Sequence, residues 1–321
     1  MSSTPGNLNN ATGKIVGVGR ALGGLVVTNH DLEKALDTNN AWIVERTGIK
    51  ERRFAAEDED CATLAIDASK EALAHAGLEG EAVDLVLCAT STAPESMPSV
   101  ACLVGEAIGA VGVGALDVTA ACAGYSYAAN VASSMLKSGA GRRVLLIGAD
   151  AMTKIVDQKD RSTAVLFSDA AGAVILEHGS GESGFVDHIL GADGRGAPLL
   201  RAGHPGAHEK LYQNGREVFK FAARVFPEMV EKLLARNGVK PEKVQYIIPH
   251  QANTRIIQAA VRRMEIPEEK IVVNMDRFGN TSAASIPISY PDIFDDFEPG
   301  KYVVTVGFGG GLTWAANLYR I

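Results

Sequence analysis

The chain has 321 residues, 46% of them apolar and 21% charged, with 34 Gly, 12 Pro and 6% aromatic residues, which excludes a disordered or fibrous chain and suits one large domain or two packed halves. Lys and Arg number 31 against 38 Asp and Glu, a formal net charge of -7, so the overall field disfavours nucleic acid and anionic membrane as partners. No apolar run reaches the roughly 18 residues of a membrane span. Residues 1–13 are polar, lack the apolar core of a secretory signal and read as a flexible leader. Four cysteines (Cys61, Cys88, Cys102, Cys122) then suit the reduced thiols of a cytoplasmic protein.

In chain order, β-branched runs at 14–18, 83–90, 114–119, 143–148 and 171–176 predict buried strands, separated by helical patterns at 61–75, 99–109 and 123–138 that each end at Gly. The second half repeats the theme with strands at 244–249, 271–274 and 302–306 and a long amphipathic helix over 218–237, which Pro227 should kink. The class is therefore layered α/β. A faint β-α-β echo relates residues 14–180 to 181–321.

Cys122 stands where the strand GALDVTA gives way to the helix AGYSYAANVASSMLKSG. A sulfur at a helix N-terminus is favoured as thiolate and should have a lowered pKa, although a small buried apolar Cys fits the same context. Cys61, Cys88 and Cys102 fit that second description. His250 in IIPHQAN follows a strand and precedes a helix. Asn280 in FGNTSAAS follows another and opens a small-residue helix that Thr281 or Ser282 could cap. Each alone reads equally well as a strand-end turn residue. Together they are three polar side chains at carboxyl ends of strands, where open α/β sheets bind ligands. The run from Gly307 to Gly311 lets backbone N–H groups approach a substrate and could supply an oxyanion hole. His30, His75, His178, His188, His204 and His208 read as surface or loop residues. A dinucleotide fingerprint fails because Leu22 stands where Gly17-x-Gly19 needs a third glycine. The Cys, His, Asn order matches papain-type proteases, whose local Cys signature is absent, and no close-set metal-ligand pattern exists.

The segments TAACAGYSYA, IIPHQANTRII, RFGNTSAASIP and GFGGGLTW, with WIVERTGIKERR and NGREVFKFA, resemble β-ketoacyl-acyl-carrier-protein synthase III over about residues 14–321. The resemblance implies a thiolase-like fold, two similar five-stranded α/β halves in a five-layered αβαβα sandwich, usually a homodimer. It implies an acyltransferase without a cofactor, in which Cys122 takes an acyl group from acyl-CoA and His250 and Asn280 donate to the enolate formed by decarboxylation of malonyl-acyl carrier protein. The oxyanion donors would be the N–H groups of Cys122 and Gly310. By the same resemblance Trp42, Arg46, Arg161 and Asn253 bind CoA, and Met97, Leu211 and Phe308 line the acyl pocket. Met97 would reach across the dimer and suggests a short or small branched primer. Lys220, Arg255, Arg262 and Arg263 would dock the acidic carrier, the three arginines sharing one helix face.

The sequence departs from the family pattern at Ser168 and Ala170 in FSDAAGA, and at Pro291, which should break a helix. These changes leave open a starter-unit synthase of polyketide or secondary metabolism. A silent acyl-CoA or carrier-protein binding subunit is a further alternative, disfavoured because a pure binder has no need of the thiol.

Overall fold

The computed structural model describes residues 11–179, 181–206 and 208–321. Strand β1 (Lys14–Leu22) is followed by a ribbon of β2 (Leu25–Thr28) and β3 (Glu51–Phe54), which encloses helices α1 (Asn29–Glu33) and α2 (Asn40–Thr47). Then come α3 (Cys61–Ala76), β4 (Leu85–Ala89), α4 (Val100–Ala107), β5 (Gly114–Val118), α5 (Gly124–Lys137), β6 (Arg143–Ala151), α6 (Arg161–Ala164) and β7 (Asp169–Glu177). The remainder supplies β8 (Gly184–Ala192), a ribbon of β9 (Leu200–Arg201) and β10 (Tyr212–Gln213), α7 (Gly215–Asn237), β11 (Val244–Pro249), α8 (Thr254–Val261), α9 (Met275–Phe278), β12 (Tyr302–Gly309) and β13 (Thr313–Arg320).

The helices begin and end where local chemistry satisfies their free backbone groups. Asp60 accepts the N–H groups of Ala62 and Thr63 to start α3, and Gly77 closes it in the left-handed region at φ 64°. Asn214 and Gly238 do the same for α7, a single helix from Gly215 to Asn237 with Pro227, which lacks an N–H, inside it.

Two sheets carry the faint internal echo into the fold. The first has the order β1-β7-β6-β4-β5. Its β1–β7 and β7–β6 pairs are antiparallel, and β6–β4 and β4–β5 are parallel. The second, read as β8-β13-β12-β11, runs antiparallel, antiparallel, parallel. The fifth strand expected at 271–274 is reduced to one parallel bridge from Ile271 to Ile247. Chain continuation is diverted there, because Gln251 Nε2 takes the Val272 carbonyl and Asn274 leads into α9. The second half is thus four-stranded plus a bridge. Also unforeseen were β8, β13 and the β2–β3 ribbon.

Helices α3 and α4 cover the outer face of the first sheet, and α7 and α8 flank the second. Between the sheets lie α5 and the segment 282–296, giving five layers. That segment is not the small-residue helix expected after Asn280 but three successive 3₁₀ turns. Pro287 and Pro291 lack the N–H groups an α-helix would use, and the backbone is pressed on the sheet: a Cβ on Gly148 would lie 2.5 Å from the Ala283 carbonyl oxygen. Of the leader expected over 1–13, residues 1–10 lie outside the described residues. Ala11 to Gly13 are buried, with Thr12 bridged to Phe185, so Phe185 on β8 fastens the chain start to the second sheet.

The first half is held as tightly. A Cβ on Gly19 would meet the Ala68 carbonyl oxygen and the Ala72 nitrogen of α3, each at 2.4 Å. Gly19→Ala is therefore expected to cost about 1–3 kcal/mol by overpacking, read as a lower urea midpoint; an unchanged midpoint would contradict this packing.

Candidate active site

Cys122 lies in a 3₁₀ turn, Ala121–Ala123, that feeds directly into α5. The preceding Ala121 has φ 47° and Ser282, opposite, has φ 52°, left-handed conformations that cost a non-glycine residue roughly 1–2 kcal/mol each. They sit on either side of one contact, the Ser282 hydroxyl donating to the Cys122 sulfur at 3.3 Å. The approach of β12 requires glycine, since a Cβ on Gly309 would stand 2.7 Å from the Cys122 nitrogen.

Burial pushes the Cys122 thiol up to about 12, with the Asp150 charge adding to the rise and the Ser282 hydroxyl opposing it. The lowered pKa expected from the helix N-terminus is thus overturned. Cys122 is only 8% exposed, and loss of hydration is the largest influence on its sulfur. The resting sulfur is a thiol.

His250 ends β11, its N–H bonded to the Val306 carbonyl at 2.7 Å. Its Nδ1 lies 2.7 Å from Ser285 Oγ, which also accepts the Gln251 N–H at 3.3 Å. The Ser285 hydroxyl can accept as well as donate, so this contact fixes the position of the imidazole at Nδ1. Burial lowers the His250 pKa to about 3, the Ser282 backbone opposing. At neutral pH the ring is uncharged, and the tautomer with its proton on Nε2 is a donor there.

Asn280 is fixed by its backbone and by its own side chain. Its N–H donates to the Leu166 carbonyl and its carbonyl accepts the Ser168 N–H, each at 2.9 Å. Its Oδ1 accepts the Ser282 N–H at 3.0 Å, which leaves the Nδ2 hydrogens as the donors of this amide. The Ser168 departure has a local use as well: its hydroxyl bonds both the carbonyl and the N–H of Arg53, at 2.9 and 2.8 Å.

Two cavities of about 650 Å³ each meet at Cys122, Phe167 and Leu200. One contains Cys122, His250 and Asn280 together and opens past Trp42, Arg46, Arg216, Lys220, Asn253 and Arg255; its lining holds four cations and no carboxylate. The other runs past Met152, Ile155, Leu211 and Gly310 toward Glu95 and Asp117. Sequence reasoning missed Ser282, Ser285 and Asp150. The signal for Asp150 was visible, an acidic residue inside the apolar run VLLIGADA.

The remaining expected residues divide. Trp42 has Arg161 5.0 Å and Arg46 5.8 Å from a ring centroid, and Arg161 also donates to the Asp37 carbonyl at 2.6 Å. Asn253 caps α8 through Arg255 N and donates to the Arg46 carbonyl at 3.0 Å, tying α8 to α2. Leu211 lines the second cavity. Phe308 does not: it lies in the first, edge-on to His250 with centroids 5.3 Å apart. Met97 lines neither cavity of its own chain and is 79% exposed. Lys220 pairs with Glu217 at 2.7 Å. Arg262 caps the end of α8 and Arg263 lies beyond it, bonded to the Ala223 carbonyl, so the three arginines do not share one helical face. His188, expected on the surface, is held between Ser133 Oγ and Asn317 Nδ2, each at 2.8 Å.

A five-layered sandwich with a buried cysteine at the foot of a central helix, and a histidine and an asparagine facing it from the second half, defines a thiolase-fold condensing enzyme. Comparison with known proteins narrows the class. The model "3-Oxoacyl-[acyl-carrier-protein (ACP)] synthase III" matches residues 116–194, and that of its C-terminal part matches 234–321. The β-ketoacyl-[acyl-carrier-protein] synthase III of Rubrobacter xylanophilus is 71% identical over 98% of this chain and all of its own length, and that of Geobacillus kaustophilus 48% identical over 95% and 98%. The crystal structure of 3-oxoacyl-[acyl-carrier-protein] synthase III from Aquifex aeolicus superposes with a TM-score of 0.92 at 45% identity, covering 97% of this chain and 100% of its own. The chain belongs to the β-ketoacyl-[acyl-carrier-protein] synthase III family.

Below about pH 6.5 an unfolded imidazole takes up a proton that native His250, with its pKa near 3, refuses. The contribution is therefore fully present above 6.5 and is lost as pH falls. Urea unfolding of His250→Asn should show a stability decline between pH 6.5 and 4.5 flatter than wild type by up to about 1.4 kcal/mol per pH unit; matching slopes would mean the native ring is protonated.

Proposed function

We propose that this chain catalyses the decarboxylative condensation of an acyl-CoA primer with malonyl-acyl carrier protein to give 3-oxoacyl-acyl carrier protein, the first condensation of fatty-acid synthesis. The observation that carries the reading is the single cavity in which Cys122, His250 and Asn280 meet beneath a cationic mouth. The family supplies the two substrates.

In the first half-reaction the Cys122 sulfur attacks the primer thioester carbonyl. A carbon–sulfur bond to Cys122 forms, the bond to CoA breaks, and the thiol proton leaves with the CoA thiolate. The backbone N–H groups of Cys122 and Gly310 are assigned to the oxyanion; Gly310 lines the cavity beside the sulfur. In the second, malonyl loses its carboxylate as CO₂, and the electron pair of the broken bond becomes a thioester enolate. His250 Nε2–H and Asn280 Nδ2–H donate to its oxygen. Both donors are neutral and neither adds negative charge beside the developing anion. The enolate carbon then attacks the acyl-cysteine, the carbon–sulfur bond breaks, and the Cys122 thiolate takes up a proton.

CoA is thus a substrate, and the steps call for no cofactor. Trp42 with Arg161 is assigned to the adenine, since an aromatic face and a guanidinium both stack on a flat ring. Arg46 is assigned to the phosphates. Lys220 and Arg255 at the cavity mouth are assigned to the acidic carrier protein, with Arg262 and Arg263 beyond them, a local basic patch that steers an acidic partner to a chain of net negative charge. A homodimer is supported by the free edge of β5 in the first sheet, with Leu116 38% and Met97 79% exposed nearby in the chain. In that dimer Met97 is assigned to the partner's acyl pocket, which favours acetyl or small branched primers. The four free cysteines suit the reducing cytoplasm. Among the described residues no helix is long and apolar enough to cross a membrane.

Intact-mass measurement after incubation with acetyl-, isobutyryl- and octanoyl-CoA tests the first step. An acetyl or isobutyryl adduct is expected on wild type and none on Cys122→Ala. An unlabelled wild type would refute the reading, and exclusive octanoyl labelling would refute the short primer. Asn280→Asp should still acylate yet lose about 10²–10³ in CO₂ release from malonyl-acyl carrier protein; an undiminished rate would remove Asn280 from the enolate site.

A further inference from the structure

Asp150, near the end of β6, is fully buried, and among the described residues it forms no ion pair. Its carboxylate is surrounded by donors. Oδ1 accepts the Ser91 N–H at 2.9 Å and the hydroxyls of Thr92 and Thr90 at 2.8 and 3.2 Å. Oδ2 accepts the Ala283 N–H from the other half of the chain at 3.0 Å. Burial raises the Asp150 pKa above the usual carboxylate value, and the Ser91 and Ala283 N–H groups and the Ser282 and Thr92 hydroxyls oppose the rise; the two N–H groups can only donate, which favours the charged form.

The bonds of Asp150 lead to the site from two directions. Thr90 and Ser91 are walls of the cavity that runs past Leu211. Ala283 follows Ser282, whose N–H holds Asn280 Oδ1 and whose hydroxyl donates to the Cys122 sulfur. Ser282 is in the left-handed region, and the Ala283 N–H to Asp150 bond is one of the contacts that keep it there.

We propose that Asp150 is a positioning residue for the nucleophile: it anchors the turn that holds the Ser282 hydroxyl on the Cys122 sulfur, while its negative charge keeps that sulfur a thiol until a thioester arrives. The two effects on the sulfur have opposite signs. The hydroxyl stabilises a thiolate by donating to it, and the carboxylate destabilises one by repulsion through a low-dielectric core. His250, following β11, is uncharged, and Cys61 of α3, bonded to Thr90, and Cys88 of β4 are held as thiols by burial. Asp117 and Glu95 line the second cavity, and Asp150 is the carboxylate that acts on the Cys122 sulfur. The inference rests on Cys122 being the acylated sulfur, which acyl-CoA labelling of wild type tests separately.

The pH profile of iodoacetamide alkylation of Cys122, followed by peptide mass in a Cys102→Ser background because Cys102 is exposed, reads the sulfur alone. Ser282→Ala should move the profile upward by about half a pH unit or more, and Asp150→Asn should move it downward by a similar amount. A merely structural role would move neither, or both in the same direction, and either result overturns the proposal. Thermal melting establishes that each variant is folded. Should Asp150→Asn yield no folded protein, the Ser282→Ala profile decides, and its failure to rise overturns the proposal. Wild type that alkylates as expected but takes no acyl group would instead refute the acyl-transfer reading and leave the two profiles to be judged on their own.

Discussion

The chemistry of this protein depends on taking a sulfur out of water. A buried thiol resists ionisation, since its thiolate loses hydration that a few peptide dipoles do not replace. Cys122 pays that penalty and gains a site in which every donor aimed at a reacting oxygen acts in a low dielectric. His250 is subject to the same condition with the opposite charge. Its imidazole is kept neutral by burial, where a charged ring would also have had to be desolvated. The dry site thus decides the form of both groups.

Dryness of this kind needs two layers of backbone at close quarters. The central layer is built from α5 of the first half and the 3₁₀ turns of the second, and these elements approach the sheets where side chains are absent. Gly309 lets β12 reach the backbone of Cys122, and Gly148 lets β6 reach the carbonyl of Ala283. The duplicated sheet order brings strand ends from the two halves to one place: Cys122 follows β5 and its turn, and His250 follows β11, the counterpart of β4. Asp150 crosses the same seam with hydrogen bonds to both halves. Folding of the halves and assembly of the site are therefore one event.

Much of this was legible in the residues. Cys122, His250 and Asn280 were each readable as a polar residue at a strand end, and the β-branched runs located seven of the nine strands of the two main sheets. What escaped had physical reasons. Strands β8 and β13 carry Gly, Asp, His and Asn among their apolar residues, which blurs a period-two signal. The run IVVN at 271–274 has strand propensity, yet side-chain and helix-cap bonds divert it after one residue. Small residues after Asn280 suggested a helix until two prolines removed its donors. The acidity of Cys122 was misjudged because sequence shows a helix start but not the depth at which it is buried. Phe308, given to the acyl pocket by resemblance, lines the cavity that holds His250.

The meeting of two chambers at one atom governs traffic as well as chemistry. On the proposed reading, an acyl chain on one side of Cys122 leaves the arginine-rimmed side to whichever pantetheine arm is present, so the departing and arriving carriers compete for a single doorway. Turnover is then single file. On that reading, free, unacylated CoA would slow the second step by occupation of the entrance without touching the bond-making groups.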